Sequence, residues 1–221
     1  MTLVAIVDDH RLFNTALAIA LRAEGLRVAW PTPGTPCELD RIRERLLEIK
    51  PDVLLIDRML GPRASGEDLI YPISNSGTSV VVVSAFLDDW TIGRCLALGA
   101  GACISKAEPL ENVLAAVAAL AAGEKVVPAA ERARLIAEFQ RRRSTLARDR
   151  ANFELLTSRE EDVLAELVAG RSVREIAARF YVSEPTVRSQ VRAILTKLNV
   201  RSQLQAVAAA SAAGWKAPSA A

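Results

Sequence analysis

The sequence predicts a doubly wound α/β domain with a five-stranded parallel sheet, followed by a small all-α domain. The chain has 221 residues, more than one typical domain of roughly 100 to 200 residues. Its first part alternates short apolar runs with helix-length segments, whereas its last part contains only helical patterns. A charged stretch without glycine separates them. We therefore predict domains at 1–123 and 154–221, joined by a helical linker at 124–153.

The strands of the first domain are predicted from apolar runs, most of them rich in β-branched residues. Near-continuous apolar strands between helices are typical of a parallel sheet that is covered on both faces. The five runs lie at 3–7, 26–30, 53–56, 80–83 and 102–104.

Polar side chains follow four of these runs. Asp8 and Asp9 follow the first, Asp57 the third, Ser84 the fourth and Lys106 the fifth. Because the carboxyl ends of parallel strands meet at one edge of the sheet, we expect these side chains to converge. Three carboxylates repel one another unless a cation intervenes, and a hard ion such as Mg²⁺ suits their oxygens. A nucleophilic Asp57 could then take a phosphoryl group, whose oxygens Lys106 and Ser84 would stabilise.

The motifs "IVDDHRLF", "LLIDRM", "VVVSAF" and "CISKAEPL" resemble the receiver domain of bacterial two-component response regulators, which has a flavodoxin-like fold. The resemblance implies that Asp57 is phosphorylated by a sensor histidine kinase. It also implies that Asp9, Asp57 and the Met59 backbone carbonyl bind Mg²⁺, assisted by Asp8. Ser84 and Lys106 would be the phosphoryl-stabilising and switch residues.

Two features depart from the receiver pattern. The loop "DRMLGPRASG" lacks the usual Met-Pro pair and is one residue longer, and Cys103 replaces the usual switch aromatic. We therefore expect phosphorylation to change DNA affinity by less than the roughly 5- to 150-fold typical of allosteric coupling. An alternative is a receiver that works as a phosphorylation-independent interaction module. A flavodoxin-like enzyme or cofactor binder is a third hypothesis, but the sequence has no glycine-rich phosphate loop.

The charge distribution differs between the two ends of the chain. Residues 1–123 contain 11 Lys and Arg against 15 Asp and Glu, a net charge of −4. Residues 124–221 contain 17 against 11, a net charge of +6, and the most basic point of the linker is "RRR" at 141–143. A solvated linker face explains that triplet, but the overall asymmetry favours a polyanionic partner for the second domain.

Helix start and stop signals define the second domain. One helix has apolar residues at helical spacing on one face and polar residues on the other. The start signals are Thr157 or Ser158, Ser172 with Glu175 in a capping box, and Ser183 with Pro185 in the first turn, and Gly170 is a stop. The apolar face is Val187, Val191, Ile194, Leu195 and Leu198, and the polar face includes Arg188, Ser189, Arg192 and Thr196.

The stretch from "LTSREEDVL" to "TKLNVRS" resembles the LuxR-type helix-turn-helix, and with the receiver it indicates the NarL/FixJ subfamily. The resemblance implies that Arg188, Ser189 and Arg192 enter the major groove of promoter DNA. Thr186 and Lys197 are expected to meet phosphates, and the basic side chains to be exposed. The simpler alternative is a bundle helix with surface arginines. Family members often have His at Gln190 and Gly at Asn199, so base preference cannot be transferred.

The last predicted helix, about 203–212, has two interpretations. In the family it dimerises the DNA-bound domains, and the alternative is packing onto the bundle. A homodimer on DNA is therefore expected.

Other sequence features argue against a zinc enzyme, a secreted protein and a membrane-spanning protein. His10 is the only histidine, and Cys37, Cys95 and Cys103 form no metal-ligand pattern, so a histidine-based zinc enzyme is not expected. The N-terminus lacks the basic start of a signal peptide, and the run at 113–122 is about half the length of a membrane span. We expect a cytoplasmic, non-enzymatic regulator without a membrane partner.

Overall fold

The structure, a computed structural model, describes residues 1–31, 39–61 and 64–216. The chain forms two compact units, Met1–Gln140 and Arg141–Ala221, and each is described by itself. Cys37, residues 62–63 of the loop after Asp57, and residues 217–221 of the predicted second domain lie outside the described residues.

A five-stranded sheet with strand order β2-β1-β3-β4-β5 forms the centre of the first unit. All four strand pairs are parallel, as predicted. The strands are β1 (Leu3–Val7), β2 (Arg27–Ala29), β3 (Val53–Asp57), β4 (Ser79–Ser84) and β5 (Ala102–Ser105). The helices between and after them are α1 (Arg11–Ala23), α2 (Leu39–Ile49), α3 (Glu67–Ser74), α4 (Asp89–Ala97) and α5 (Leu110–Ala121).

Helices cover both faces of this sheet, which explains why its strands are apolar at successive positions. Successive side chains of a strand point to opposite faces. In β3, Leu55 belongs to the cluster that includes Leu17 of α1 and Val117 of α5. Its neighbour Leu54 belongs to the opposite cluster, with Leu46 of α2. The central strands are thus buried on both sides.

The predicted linker contains one long helix, α6 (Ala129–Phe153). Its first half belongs to the first unit and packs on α4, where Leu135 and Phe139 are buried. The rings of Phe139 and Trp90 lie 4.8 Å apart. A Cβ at Gly93 of α4 would lie 2.4 Å from the Leu135 carbonyl oxygen, so only glycine permits this approach.

The second unit is a helical bundle, and three of its helices begin at the predicted caps. The Thr157 and Ser172 side chains each complete a capping box, and the Ser183 hydroxyl accepts a bond from the Thr186 amide. Gly170, the predicted helix stop, has φ +81°, a left-handed conformation that favours glycine. The helices are α7 (Ser158–Val168), α8 (Val173–Arg179), α9 (Glu184–Lys197) and α10 (Gln203–Ala212).

Candidate functional site

The register of the sheet brings the predicted acidic residues to one edge. Val7 of β1 pairs with Ile56 of β3, so the next residues, Asp8 and Asp57, are neighbours. Ser84 pairs with Ser105 at the ends of β4 and β5, and Lys106 follows directly. The structure therefore gathers residues from three strand ends into one pocket, which we call the acidic pocket: Asp8, Asp9, Asp57 and Lys106.

Asp57 is buried in this pocket, with 4% of its surface exposed. The Lys106 ammonium Nζ donates to Asp57 Oδ2 at 2.6 Å, and the Met59 amide donates to Oδ1 at 3.1 Å. Lys106 Nζ also lies 2.6 Å from Asp8 Oδ2. One carboxylate is thus held in place by a cation and a backbone donor.

The charge state of Lys106 follows from these contacts. Burial disfavours its ammonium, but hydrogen bonds to Asp57 and Asp8 outweigh burial and raise the pKa of Lys106. The side chain therefore stays positive at neutral pH. A fixed positive charge beside Asp57 can stabilise negative oxygens that develop there.

The donor atoms of the pocket are close enough to share one cation. One ligand atom from each of Asp8, Asp9, His10 and Asp57 lies within 4.8 Å of the others. Carboxylate oxygens are the ligands that Mg²⁺ prefers, so the donor set fits that ion. The Met59 amide contact places the expected carbonyl ligand in the adjacent peptide, although its role remains a prediction.

His10 is a pocket residue that sequence reasoning missed. Its Nδ1 lies 2.9 Å from Asp9 Oδ1, 3.2 Å from Asp8 Oδ1 and 3.6 Å from Asp57 Oδ2. From the sequence, the single histidine indicated only that a histidine-based zinc enzyme is not expected. Its position directly after Asp9 was the available signal.

Ser84 and Cys103 complete the predicted switch positions. Ser84 is buried, and its hydroxyl donates to the Phe86 carbonyl at 3.4 Å, so it must turn to reach a phosphoryl group on Asp57. Cys103 packs beside Cys95 in the cluster on the α2 and α3 side of the sheet. A hydrogen bond with Cys95 and burial raise the pKa of the Cys103 thiol, so this side chain is a neutral packing group.

The second candidate site is one face of α9. Val187, Val191, Ile194 and Leu198 are buried, and Leu195 is partly buried, which confirms the predicted apolar face. Arg188, Ser189 and Arg192 are exposed on the other side. We call these three residues the recognition face. Arg188 also pairs with Glu184 one turn earlier, at 3.3 Å.

Lys197 does not match the expectation of a freely exposed cation. Its Nζ lies 2.6 Å from Glu160 Oε2, and only 32% of its side chain is exposed. This ion pair ties the end of α9 to the first turn of α7. Burial opposes the Glu160 charge, but Lys197 and the Thr157 cap outweigh it and lower the pKa of Glu160. Periodicity could not reveal a partner that lies 37 residues away.

Three further polar positions of the second unit were singled out in the sequence: Thr186, Gln190 and Asn199. The Thr186 hydroxyl is exposed but lies 2.8 Å from the Ser183 hydroxyl, so it takes part in the cap of α9. The buried Gln190 Oε1 has no hydrogen bond within the part of the chain that the structure describes. Asn199 has φ +55°, a left-handed conformation that suits the glycine expected at this position from the family pattern.

The final helix α10 has one packed side and one open side. Ala206 and Ala210 are buried in the bundle core, whereas Leu204 is 80% exposed and Val207 packs only partly. Packing onto the bundle therefore occurs. The exposed Leu204 leaves an apolar group for the expected dimer contact.

An α/β unit with a carboxylate and lysine pocket at its strand ends, preceding a helix-turn-helix, defines the class of DNA-binding response regulators. Residues 4–118 match the family described as "Response regulator receiver domain". Residues 154–210 match "Bacterial regulatory proteins, luxR family". The chain belongs to the NarL/FixJ type of response regulators, which are transcription regulators rather than enzymes.

Curated relatives agree with this membership, and two solved structures are similar to the chain in fold. The oxygen regulatory protein NreC of Staphylococcus aureus strain JH9 is 30% identical over 210 residues, covering 92% of this chain and 94% of the relative. NreC of Staphylococcus epidermidis RP62A is 29% identical with the same coverage. The RcsB response regulator of Salmonella typhimurium is similar in fold, with TM-score 0.54 and 22% identity, covering 96% of this chain and 100% of RcsB. An RcsB–DNA complex gives TM-score 0.50 at 22% identity, covering 95% and 98%.

Hydrophobicity along the helices gives no sign of a membrane segment. Among residues 1–31, 39–61 and 64–216, no helix is both long enough and apolar enough to span a bilayer.

Proposed function

We propose that Asp57 accepts a phosphoryl group from a sensor histidine kinase in the cytoplasm and that this modification controls promoter binding by a dimer of the chain. The observation that carries the proposal is the Asp57 carboxylate itself. It is almost fully buried, yet it lies at the end of β3 beside a lysine ammonium 2.6 Å away. A buried carboxylate held this way is suited to act as a nucleophile toward phosphorus, unlike an ordinary carboxylate exposed to solvent.

Asp57, Lys106 and Ser84 have separate roles in phosphoryl transfer. Asp57 forms the new oxygen–phosphorus bond while the bond from phosphorus to the donor breaks. Lys106 stabilises the phosphoryl oxygens, and Ser84 turns from the Phe86 carbonyl to donate to one of them. Asp8, Asp9, Asp57 and the Met59 carbonyl would hold Mg²⁺. When bound, that ion neutralises charge between the carboxylates and the phosphoryl group.

The recognition face is the proposed DNA contact. Arg188 and Arg192 are one helical turn apart and exposed, so both guanidinium groups can reach base edges in the major groove. Ser189 lies between them, and Thr186 at the start of α9 would meet a phosphate. Lys197 can contact a phosphate only while sharing its charge with Glu160. Leu204 on α10 is the proposed dimer contact.

Phosphorylation of the intact chain by acetyl phosphate tests this function. With Mg²⁺ present, the wild type should gain about 80 Da, the mass of one phosphoryl group. Asp57→Asn should gain nothing, while Asp52→Asn, which changes an exposed aspartate at the opposite end of β3, should behave as the wild type. A mass gain that survives in Asp57→Asn would assign the phosphoryl group to another residue. No gain in the wild type would favour the phosphorylation-independent interaction module, for which the longer loop and Cys103 are the supporting features.

A further inference from the structure

A buried glutamate lies outside the acidic pocket and takes no part in the phosphoryl chemistry. Glu67 is the first residue of α3, and only 4% of its surface is exposed. Its Oε2 lies 2.7 Å from Arg94 Nε, and its Oε1 lies 3.5 Å from Arg58. A buried carboxylate is costly unless it is paired, so these partners determine where Glu67 can sit.

One side of this ion network is attached to the phosphoacceptor. Arg58 directly follows Asp57, and its carbonyl accepts a hydrogen bond from the Gly66 amide at 2.9 Å. A Cβ at Gly66 would lie 2.0 Å from the Asp57 carbonyl oxygen, so the backbone before Glu67 rests directly on Asp57. A shift of the Asp57 backbone must therefore move the start of α3.

The other side is attached to α4 and through it to α6. Arg94 lies in α4, next to Gly93, whose missing side chain allows the Leu135 carbonyl of α6 to approach. The guanidinium of Arg132 in α6 donates to the Leu96 carbonyl at 2.8 Å and the Ala100 carbonyl at 2.7 Å. Helix α4 is thus fixed to Glu67 on one side and to the first half of α6 on another.

We propose that Glu67 is a positioning residue that couples the Asp57 backbone to α4 through Arg94, so that phosphorylation changes the packing of residues 129–140 of α6. The inference rests on the proposed function, because it needs a phosphoryl group on Asp57. When the Asp57 backbone moves, Glu67 must either carry Arg94 with it or leave a buried charge unpaired. The second outcome is unfavourable. The network thereby supplies a connection that does not need an aromatic group at Cys103.

The test compares two paired substitutions in the full chain. Glu67→Leu with Arg94→Leu replaces the Glu67–Arg94 pair by apolar groups, an exchange that buried ion pairs often tolerate, and keeps Arg58 next to Asp57. Arg45→Leu with Glu48→Leu removes the same two residue types from an exposed pair within α2 and serves as the control. Each protein is treated with acetyl phosphate and Mg²⁺, and both its mass gain and the deuterium uptake of residues 129–140 are measured.

Wild type and control should gain mass and change their uptake at 129–140, whereas the Glu67/Arg94 variant should gain mass and lose most of that change. A merely structural role would alter uptake without phosphodonor and leave the phosphorylation-dependent difference intact, which would overturn the inference. A wild type that gains mass without any change at 129–140 would overturn it as well. A wild type that gains no mass would overturn the proposed function and this inference with it. Should the double variant fail to fold by circular dichroism, Glu67→Gln, which keeps the shape and removes the charge, must show the same loss.

Discussion

The acidic pocket and the recognition face differ in how the fold holds their residues. The pocket draws its residues from three strand ends, and its central groups, Asp57 and Lys106, are largely buried and paired. The recognition face comes from consecutive turns of one helix, and its arginines are exposed. Pocket residues are therefore constrained by one another, whereas each recognition residue can change alone.

This difference predicts how stability and function separate. Removing one partner of a buried ion pair leaves an uncompensated charge and destabilises the fold, so a pocket variant tests chemistry and stability together. Exposed substitutions away from caps and cores usually change stability by less than about 0.5 kcal/mol. Loss of DNA binding by a recognition-face variant can therefore be interpreted as a lost contact.

The largest expected effect contrasts the two sides of α9. Ile194 is fully buried, so Ile194→Ala should lower the free energy of unfolding by about 2–5 kcal/mol. Arg188→Ala, on the exposed side, should leave it nearly unchanged. Urea denaturation of both proteins measures the contrast. Equal losses would mean that α9 is not packed as described.

The second prediction concerns the cation in the acidic pocket. Mg²⁺ at about 100 times its dissociation constant should stabilise the wild type by about 2.7 kcal/mol, because it binds only the folded state. Asp9→Ala should abolish this gain, and Asp52→Ala, at the other end of the sheet, should keep it. Thermal melts with and without Mg²⁺ give the comparison, and an undiminished gain in Asp9→Ala would remove Asp9 from the ligand set.

The third prediction separates base reading from electrostatic attraction. Arg188→Ala or Arg192→Ala should cost about 1–3 kcal/mol on a selected duplex and relax preference at one base pair. Lys197→Ala should weaken selected and random duplexes alike and reduce the salt slope by about one unit or less, since Lys197 shares its charge with Glu160. Unchanged circular dichroism must accompany the arginine losses. If both arginine variants lose equally on both duplexes, base reading must lie elsewhere, for example in Ser189 or Gln190.

The smallest effect is a pH dependence at the Glu160–Lys197 pair. The pKa of Glu160 is lowered below the ordinary value of a glutamate, so its stabilising contribution is complete above that ordinary value and is lost as the pH falls through the folded-state pKa. Glu160→Gln carries no titrating carboxylate. The stability difference between wild type and Glu160→Gln should therefore shrink as the pH falls from 7 to 3. A difference that stays constant would contradict the pairing.

Local patterns predicted much of this molecule, because strands and capped helices depend on neighbouring residues. The five strands, the caps at Ser172 and Ser183 and the buried face of α9 follow from such patterns. Convergence of Asp8, Asp57 and Lys106 was predictable because parallel strands end at one edge.

Long-range pairs escaped prediction for a physical reason. The contact of Lys197 with Glu160 joins two helices, and that of Glu67 with Arg94 joins α3 to α4. Neither pair has a periodic signal, because charge complementarity across a fold depends on tertiary packing. The position of His10 directly after Asp9 signals proximity to the pocket, but its contacts with Asp8, Asp9 and Asp57 depend on how the chain turns there.

The most direct test of the whole account is the affinity for a selected promoter duplex, measured with and without acetyl phosphate in the wild type and in Asp57→Asn. We predict a phosphodonor-dependent change in the wild type that is smaller than the roughly 5- to 150-fold typical of allosteric coupling, and no change in Asp57→Asn. A wild type that gains the phosphoryl mass but binds DNA with unaltered affinity, or an Asp57→Asn variant that responds as strongly as the wild type, would contradict it.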